Sequence, residues 1–136
     1  VIHFHYEEIA FKVSKATQVK SWLKTVAVSE GQSIKEINYI FCSDPYLLQI
    51  NRDHLDHDYL TDIITFDNSE ISGKIEADIF ISIDRVKENA AQFDASFESE
   101  LKRVMVHGLL HLLGYKDKSA KEKQEMRSKE DQYLSL

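Results

Sequence analysis

A chain of 136 residues with 43% hydrophobic and 29% charged residues has the make-up of one soluble globular domain over residues 1–136, long enough to bury about two thirds of its unfolded surface. Its formal net charge of −6 excludes a general nucleic-acid coat, which draws on clustered Lys and Arg, and leaves room only for a local basic patch. The lone Cys42 cannot close an internal disulfide, no run is apolar enough for a membrane span, and the N-terminus lacks a signal-peptide layout, so a reducing cytoplasm is expected.

Residues 1–13 alternate loosely, with Ile2, Phe4 and Tyr6 set against His3, His5 and Glu7, which predicts a strand and a turn. His3 and His5 share a face with no third ligand nearby and are expected to meet solvent. Ser14 is the expected N-cap of a helix in which Val19, Trp22, Leu23 and Val26 repeat at helical spacing, with Gly31 closing it. Ser33 to Ser43, β-branched and aromatic, predicts a mostly buried strand. Asp44-Pro45, an acidic cap before proline, opens a helix that runs into Asp53-His54-Leu55-Asp56-His57-Asp58. That stretch has the letters of a metal site, but solvation and local capping at a polar helix end call for the same residues. Thr61–Phe66 and Lys74–Asp84 predict two antiparallel strands joined near Ser72-Gly73, and Asp84 is expected to cap a short helix reaching Phe93.

The next helix carries the chemistry. Leu101, Val104, Gly108 and Leu112 line one face for packing, while Arg103, His107 and His111 line another. Two histidines four residues apart lie about 6 Å from each other, near enough to share one metal ion. Gly114 falls where helices end in the left-handed conformation, so the chain can turn back and offer Asp117 as a third, oxygen ligand. Three protein ligands with one open position is the catalytic arrangement for zinc. The spacing matches the metzincin pattern, but Gly108 stands where a metalloprotease carries its general-base Glu, which argues against peptide hydrolysis. Ser119 and Glu122 form a capping box for a last, highly charged helix anchored by Met126, Tyr133 and Leu134. The expected fold is α+β, a single-domain layer sandwich with a mixed β-sheet of about four strands covered by helices, and the metal site on a helix and the turn after it.

The run His107-Gly108-Leu109-Leu110-His111-Leu112-Leu113-Gly114-Tyr115 resembles the signature of the YbeY family. Residues 51–66 (NRDHLDHDYLTDIITF) look like that family's LN-x-x-YR-x-x-D-x-x-TDVLSF segment, Ala77–Ile81 like its GDI-x-I strand, and Met126 and Glu130 like its C-terminal helix. The resemblance implies a metal-dependent, single-strand-specific endoribonuclease acting in rRNA (16S 3′ end) maturation and ribosome quality control. Its partners would then be rRNA and the ribosomal small subunit. It implies a zinc ion on His107, His111 and Asp117, the last standing where family members have a third His, with water activated there to cleave a phosphodiester. The family's arginine falls on Leu55, so Arg52, one helical turn earlier, is expected to make the catalytic phosphate contact, with Arg103 and Lys116 as further substrate contacts. Two other readings stay open at this point. One is a non-catalytic ribosome-assembly factor whose metal is structural and closed by a fourth ligand from Asp53–Asp58; the other is a different metalloenzyme, a non-haem iron oxygenase or a zincin-like protease, the latter disfavoured by Gly108. No membrane partner and no particular oligomeric state are implied.

Overall fold

The computed structural model describes residues 1–136. Its central strand, β2 (Ser33–Cys42), sends Ile37, Tyr39 and Phe41 into the core, as its β-branched and aromatic content predicts. β1 (Ile2–Glu7) and β4 (Lys74–Ser82) flank it in parallel, and β3 (Ile63–Asp67) adds antiparallel to β4, giving a mixed four-stranded sheet in the order β1-β2-β4-β3. Parallel neighbours need long crossovers, which α1 (Ala16–Ser29) and α2 (Asp44–Leu55) with β3 supply. Three helices follow: α3 (Ile83–Gln92), α4 (Phe97–Leu112) and α5 (Ala120–Leu134). The expected α+β layer sandwich is what forms.

One face of the sheet packs on α1 and α4 through Val19, Leu23, Val26, Leu101, Met105 and Leu109. Full burial of each such side chain contributes about 1.5–3 kcal/mol, so this layer dominates the stability. The Tyr39 hydroxyl, deep in it, donates to the Met105 carbonyl at 3.0 Å and so ties β2 to α4. On the other face Leu47 of α2 packs with Cys42 and Ile64. Cys42 is a buried free thiol, its pKa pushed up to about 12, first by burial and then by the carboxylates around it, and is therefore inert packing. No helix is long and apolar enough to cross a membrane.

Helix starts differ from the sequence expectation in three places. Ser14 does not cap α1; Lys15 takes that position in the left-handed region (φ 55°) with no side-chain cap, because Val13 N–H donates to the Tyr6 hydroxyl and the turn comes one residue later. Ser43, not Asp44, caps α2, and Ser82, not Asp84, caps α3. The two aspartates brace each other's helices instead. Asp84 accepts from the Asp44 N–H at 2.8 Å, and Asp44 accepts from the Ser82 hydroxyl at 2.7 Å and from Arg85 Nε at 3.1 Å. A hydroxyl reaches its own helix's N–H, while a carboxylate freed from that duty can span to a neighbour.

Candidate metal centre

α4 begins at Ser96, whose hydroxyl accepts from the Ser99 N–H at 3.1 Å, and its two faces divide the work as its periodicity predicts. Gly108 lies against β3 and β4 so closely that a Cβ there would fall 2.8 Å from Ile63 Cδ1, 3.3 Å from Thr65 Oγ1 and 3.4 Å from Ile79 Cγ2. The missing side chain lets the helix settle on the strands, which sets His107 and His111 beside the β3 edge. At the C-terminal end the N–H of Gly114 (φ 108°) donates to the His111 carbonyl and that of Tyr115 to the Leu110 carbonyl. The chain reverses there and carries Asp117 back over the two imidazoles.

The three donor atoms form a tight triangle: His107 Nε2 and His111 Nε2 are 3.0 Å apart, and each lies 3.3 Å from Asp117 Oδ2. Ligands about 2.0–2.1 Å from a tetrahedral zinc ion stand roughly 3.3 Å from one another, so the residues fit such an ion without rearrangement. The far nitrogens are also taken. His111 Nδ1 donates to the Tyr115 carbonyl at 3.0 Å, and His107 Nδ1 meets Glu130 Oε2 at 2.7 Å. An acceptor at each Nδ1 keeps the proton there and turns both Nε2 lone pairs toward one point.

The surrounding charges also act on the protonation of His107. Burial would depress the His107 imidazolium, but the hydrogen bond and charge of Glu130, with Asp117 behind them, outweigh it and lift its pKa above the ordinary histidine value. Burial would likewise raise Glu130, yet His107 and Arg103 hold its carboxyl below the usual range. Arg103 reaches Glu130 at 2.9 Å with one nitrogen and Asp131 at 2.8 Å with another. A second carboxylate steadies the ligand turn: Glu30, at the end of α1, accepts from the Tyr115 hydroxyl at 2.6 Å, from Lys129 Nζ at 3.3 Å and from the Tyr133 hydroxyl.

Two open clefts, of about 300 and 510 Å³, meet at His107 and Asp117. Lys123 and Arg127 stand in the first and the β3 residues Thr65 and Asp67 in the second, so that β3 forms one wall. Asp62 lines both, and burial pushes its carboxyl above the ordinary range.

The sequence pattern of the family described as endoribonuclease YbeY matches residues 2–136. The chain belongs to the YbeY family. Among its relatives, the Cytophaga hutchinsonii protein named endoribonuclease YbeY is 61% identical over 135 residues, covering 99% of this chain and 94% of that one. A Flavobacterium psychrophilum protein of the same name is 54% identical over 136 residues, covering 100% and 96%. A Thermotoga maritima protein solved in solution shares the fold with a TM-score of 0.65 at 27% identity, covering 97% of this chain and 87% of that one.

Against the YbeY pattern, the residues picked from sequence fall into two groups. His107, His111 and Asp117 come together as the cluster able to hold a metal ion, and no residue of Asp53–Asp58 joins them. Arg103 lines the first cleft with its guanidinium committed to Glu130 and Asp131. Arg52 is exposed on the last turn of α2 in an ion pair with Asp58, and Lys116 lies on the outer side of the ligand turn near Glu122 and Glu125; neither lines the clefts. His3 and His5 face solvent as expected. Sequence reasoning does not reach Asp62, Lys123 and Arg127. Glu130 is read there only as part of the family likeness, and its sole local sign is one helical turn of spacing from Met126 and nearly another to Tyr133, both buried.

Proposed function

We propose that this chain is a metal-dependent endoribonuclease that cleaves single-stranded RNA in rRNA (16S 3′ end) maturation and ribosome quality control. On this reading it works in the cytoplasm with zinc as its ion and the ribosomal small subunit as its partner. The observation that carries the reading is the three-donor face of His107, His111 and Asp117, open toward two clefts, in a member of a family described as endoribonuclease.

When bound, the ion supplies a Lewis acid for a phosphoryl oxygen and lowers the pKa of water. The chain's own residues do the rest. Glu130 and the Tyr115 carbonyl hold the Nδ1 protons of His107 and His111, so both rings stay oriented. Asp62, shared by both clefts and raised by burial, is placed to hold or pass a proton at an oxygen entering either one. Lys123 and Arg127 bring positive charge to the first cleft, where a phosphate backbone would lie. Arg52, with Arg103 and Lys116, is assigned to the incoming strand; Arg52 sits on the segment leading to the cleft residues Thr61 and Asp62 and must exchange Asp58 for phosphate. The test is cleavage of a single-stranded RNA beside the same sequence as a duplex, with and without a chelator. The reading requires single-strand cleavage that stops on chelation and returns with added zinc; persistence under chelation, or equal cutting of both forms, sinks it.

A further inference from the structure

On the side of α4 turned away from the metal-ligand face lies another cavity that the nuclease reading does not use. A cavity of about 490 Å³ opens between residues 11–15, α1, α4 and the end of α5. That volume lies within the range of about 300–1,000 Å³ typical of small-molecule sites. Leu101 and Met105 in its wall are offset by two positions from Arg103 and His107, which is about 200° around the helix, so the enclosure and the clefts face opposite ways.

Its walls are aromatic and its rim is cationic. Phe11 and Phe97 meet edge to face at 5.6 Å, and Trp22 is held by its Nε1–H donating to the Tyr133 carbonyl at 2.8 Å, so three rings of fixed orientation border the space. Lys12, Lys15 and Lys102 are among the lining residues, all exposed and none in an ion pair, Lys12 Nζ lying 4.9 Å from the Tyr6 ring centroid, with Glu98 the one acidic side chain beside them. In a chain whose side chains sum to −6, the side chains lining this cavity carry an excess of two positive charges. The first turn of α1, which starts at this rim, carries no acidic residue, so the positive end of the helix adds to the same field.

We infer that this enclosure binds a free mononucleotide, its base against Phe11, Trp22 and Phe97 and its phosphate among Lys12, Lys15 and Lys102. Flat aromatic ligands gain by stacking and edge contacts with such rings, and ammonium groups hold phosphate as point charges. A ligand of one sign is favoured because three like charges at one mouth repel each other until an anion arrives. The occupant is a free nucleotide and not a stretch of the RNA strand, because a strand engaged at His107 leaves on the opposite face of α4.

Trp22, the chain's only tryptophan, reports on occupancy directly. Titrating the full-length protein with AMP is expected to change its fluorescence saturably, and equally with or without chelator, because the metal face takes no part. Adenosine and inorganic phosphate should each bind at least tenfold more weakly than AMP. A Lys15→Gln/Lys102→Gln double variant should lose tenfold or more in AMP affinity while its circular dichroism and metal content stay unchanged, and Phe97→Leu should weaken AMP and adenosine alike. No saturable change with AMP, undiminished binding by the double variant, or a single-stranded RNA pentamer displacing AMP as the tighter ligand would each overturn the inference.

Discussion

His107 is pulled two ways by the groups around it. Its folded pKa stands above the ordinary value near 6.5, so in the metal-free protein the His107–Glu130 pair contributes its full stabilisation below that pH and loses it as pH rises through the raised value. Metal binding needs the neutral ring, so affinity should rise over the same interval in which the metal-free fold loses support. Urea melts with and without zinc across pH 5.5–8.5 should show the two curves diverging upward in pH, and Glu130→Gln should shrink the divergence; parallel curves would contradict the assignment. Asp117 admits a sharper test. Asp117→His raises the charge of the metal centre by one, which should move the activity optimum to lower pH, whereas an unchanged profile and metal content would remove Asp117 from the ligand set. Arg52→Ala should slow RNA cleavage by about tenfold, roughly 1.4 kcal/mol, with fold and metal content intact. At this scale the histidines and Asp117 were legible because helix spacing and a glycine turn are local properties. Glu130 and Asp62 were not, since one lies 23 residues from His107 and both reach the site only through tertiary packing.

Among the elements, the contact of α4 with β3 and the turn after α4 decide whether the ligands meet. Gly108→Ala adds a Cβ 2.8 Å from the tip of Ile63; overpacking of about 2 kcal/mol is offset by about 1 kcal/mol of better helix propensity. A net loss near 1 kcal/mol should lower the melting temperature by about 2–4 °C, and a variant more stable than the parent would show that the helix need not lie so close. The turn is steadied from α1, because Glu30 holds the hydroxyl of Tyr115 while the carbonyl of the same residue orients His111. Glu30→Gln and Tyr115→Phe should each weaken zinc binding by about tenfold, with little further loss when combined, while Tyr133→Phe, which also frees Glu30, should cost stability alone. Loss of stability in all three without loss of affinity would reduce the link to packing. Strands, helices and their order were readable from periodicity, and the Ser119–Glu122 capping box forms as expected. Three caps were not, because Asp44 and Asp84 are recruited by each other's helices and Lys15 by a left-handed turn, none of which is encoded within a few residues.

Over the whole molecule, a net charge of −6 and a nuclease function are reconciled by where the charge sits. Asp62, Asp117 and Glu130 concentrate acid around the two histidines, where on the proposed reading a divalent ion would sit, while Lys123 and Arg127 line the same cleft and would face phosphate. A sheet of four strands presents β3 as its edge to α4, and that edge becomes the cleft wall, so on the proposed reading the RNA strand would lie between β3 and α4. The measurement that bears most directly on this account is metal bound per chain, determined by elemental analysis beside the single-stranded RNA cleavage rate, for the parent, His107→Ala, His111→Ala and Asp117→Ala proteins. The account predicts about one divalent ion per parent chain, with metal and cleavage lost together in both histidine variants and metal affinity reduced in Asp117→Ala. A histidine variant that keeps its metal, or that cleaves RNA at the parent rate without it, would contradict the account.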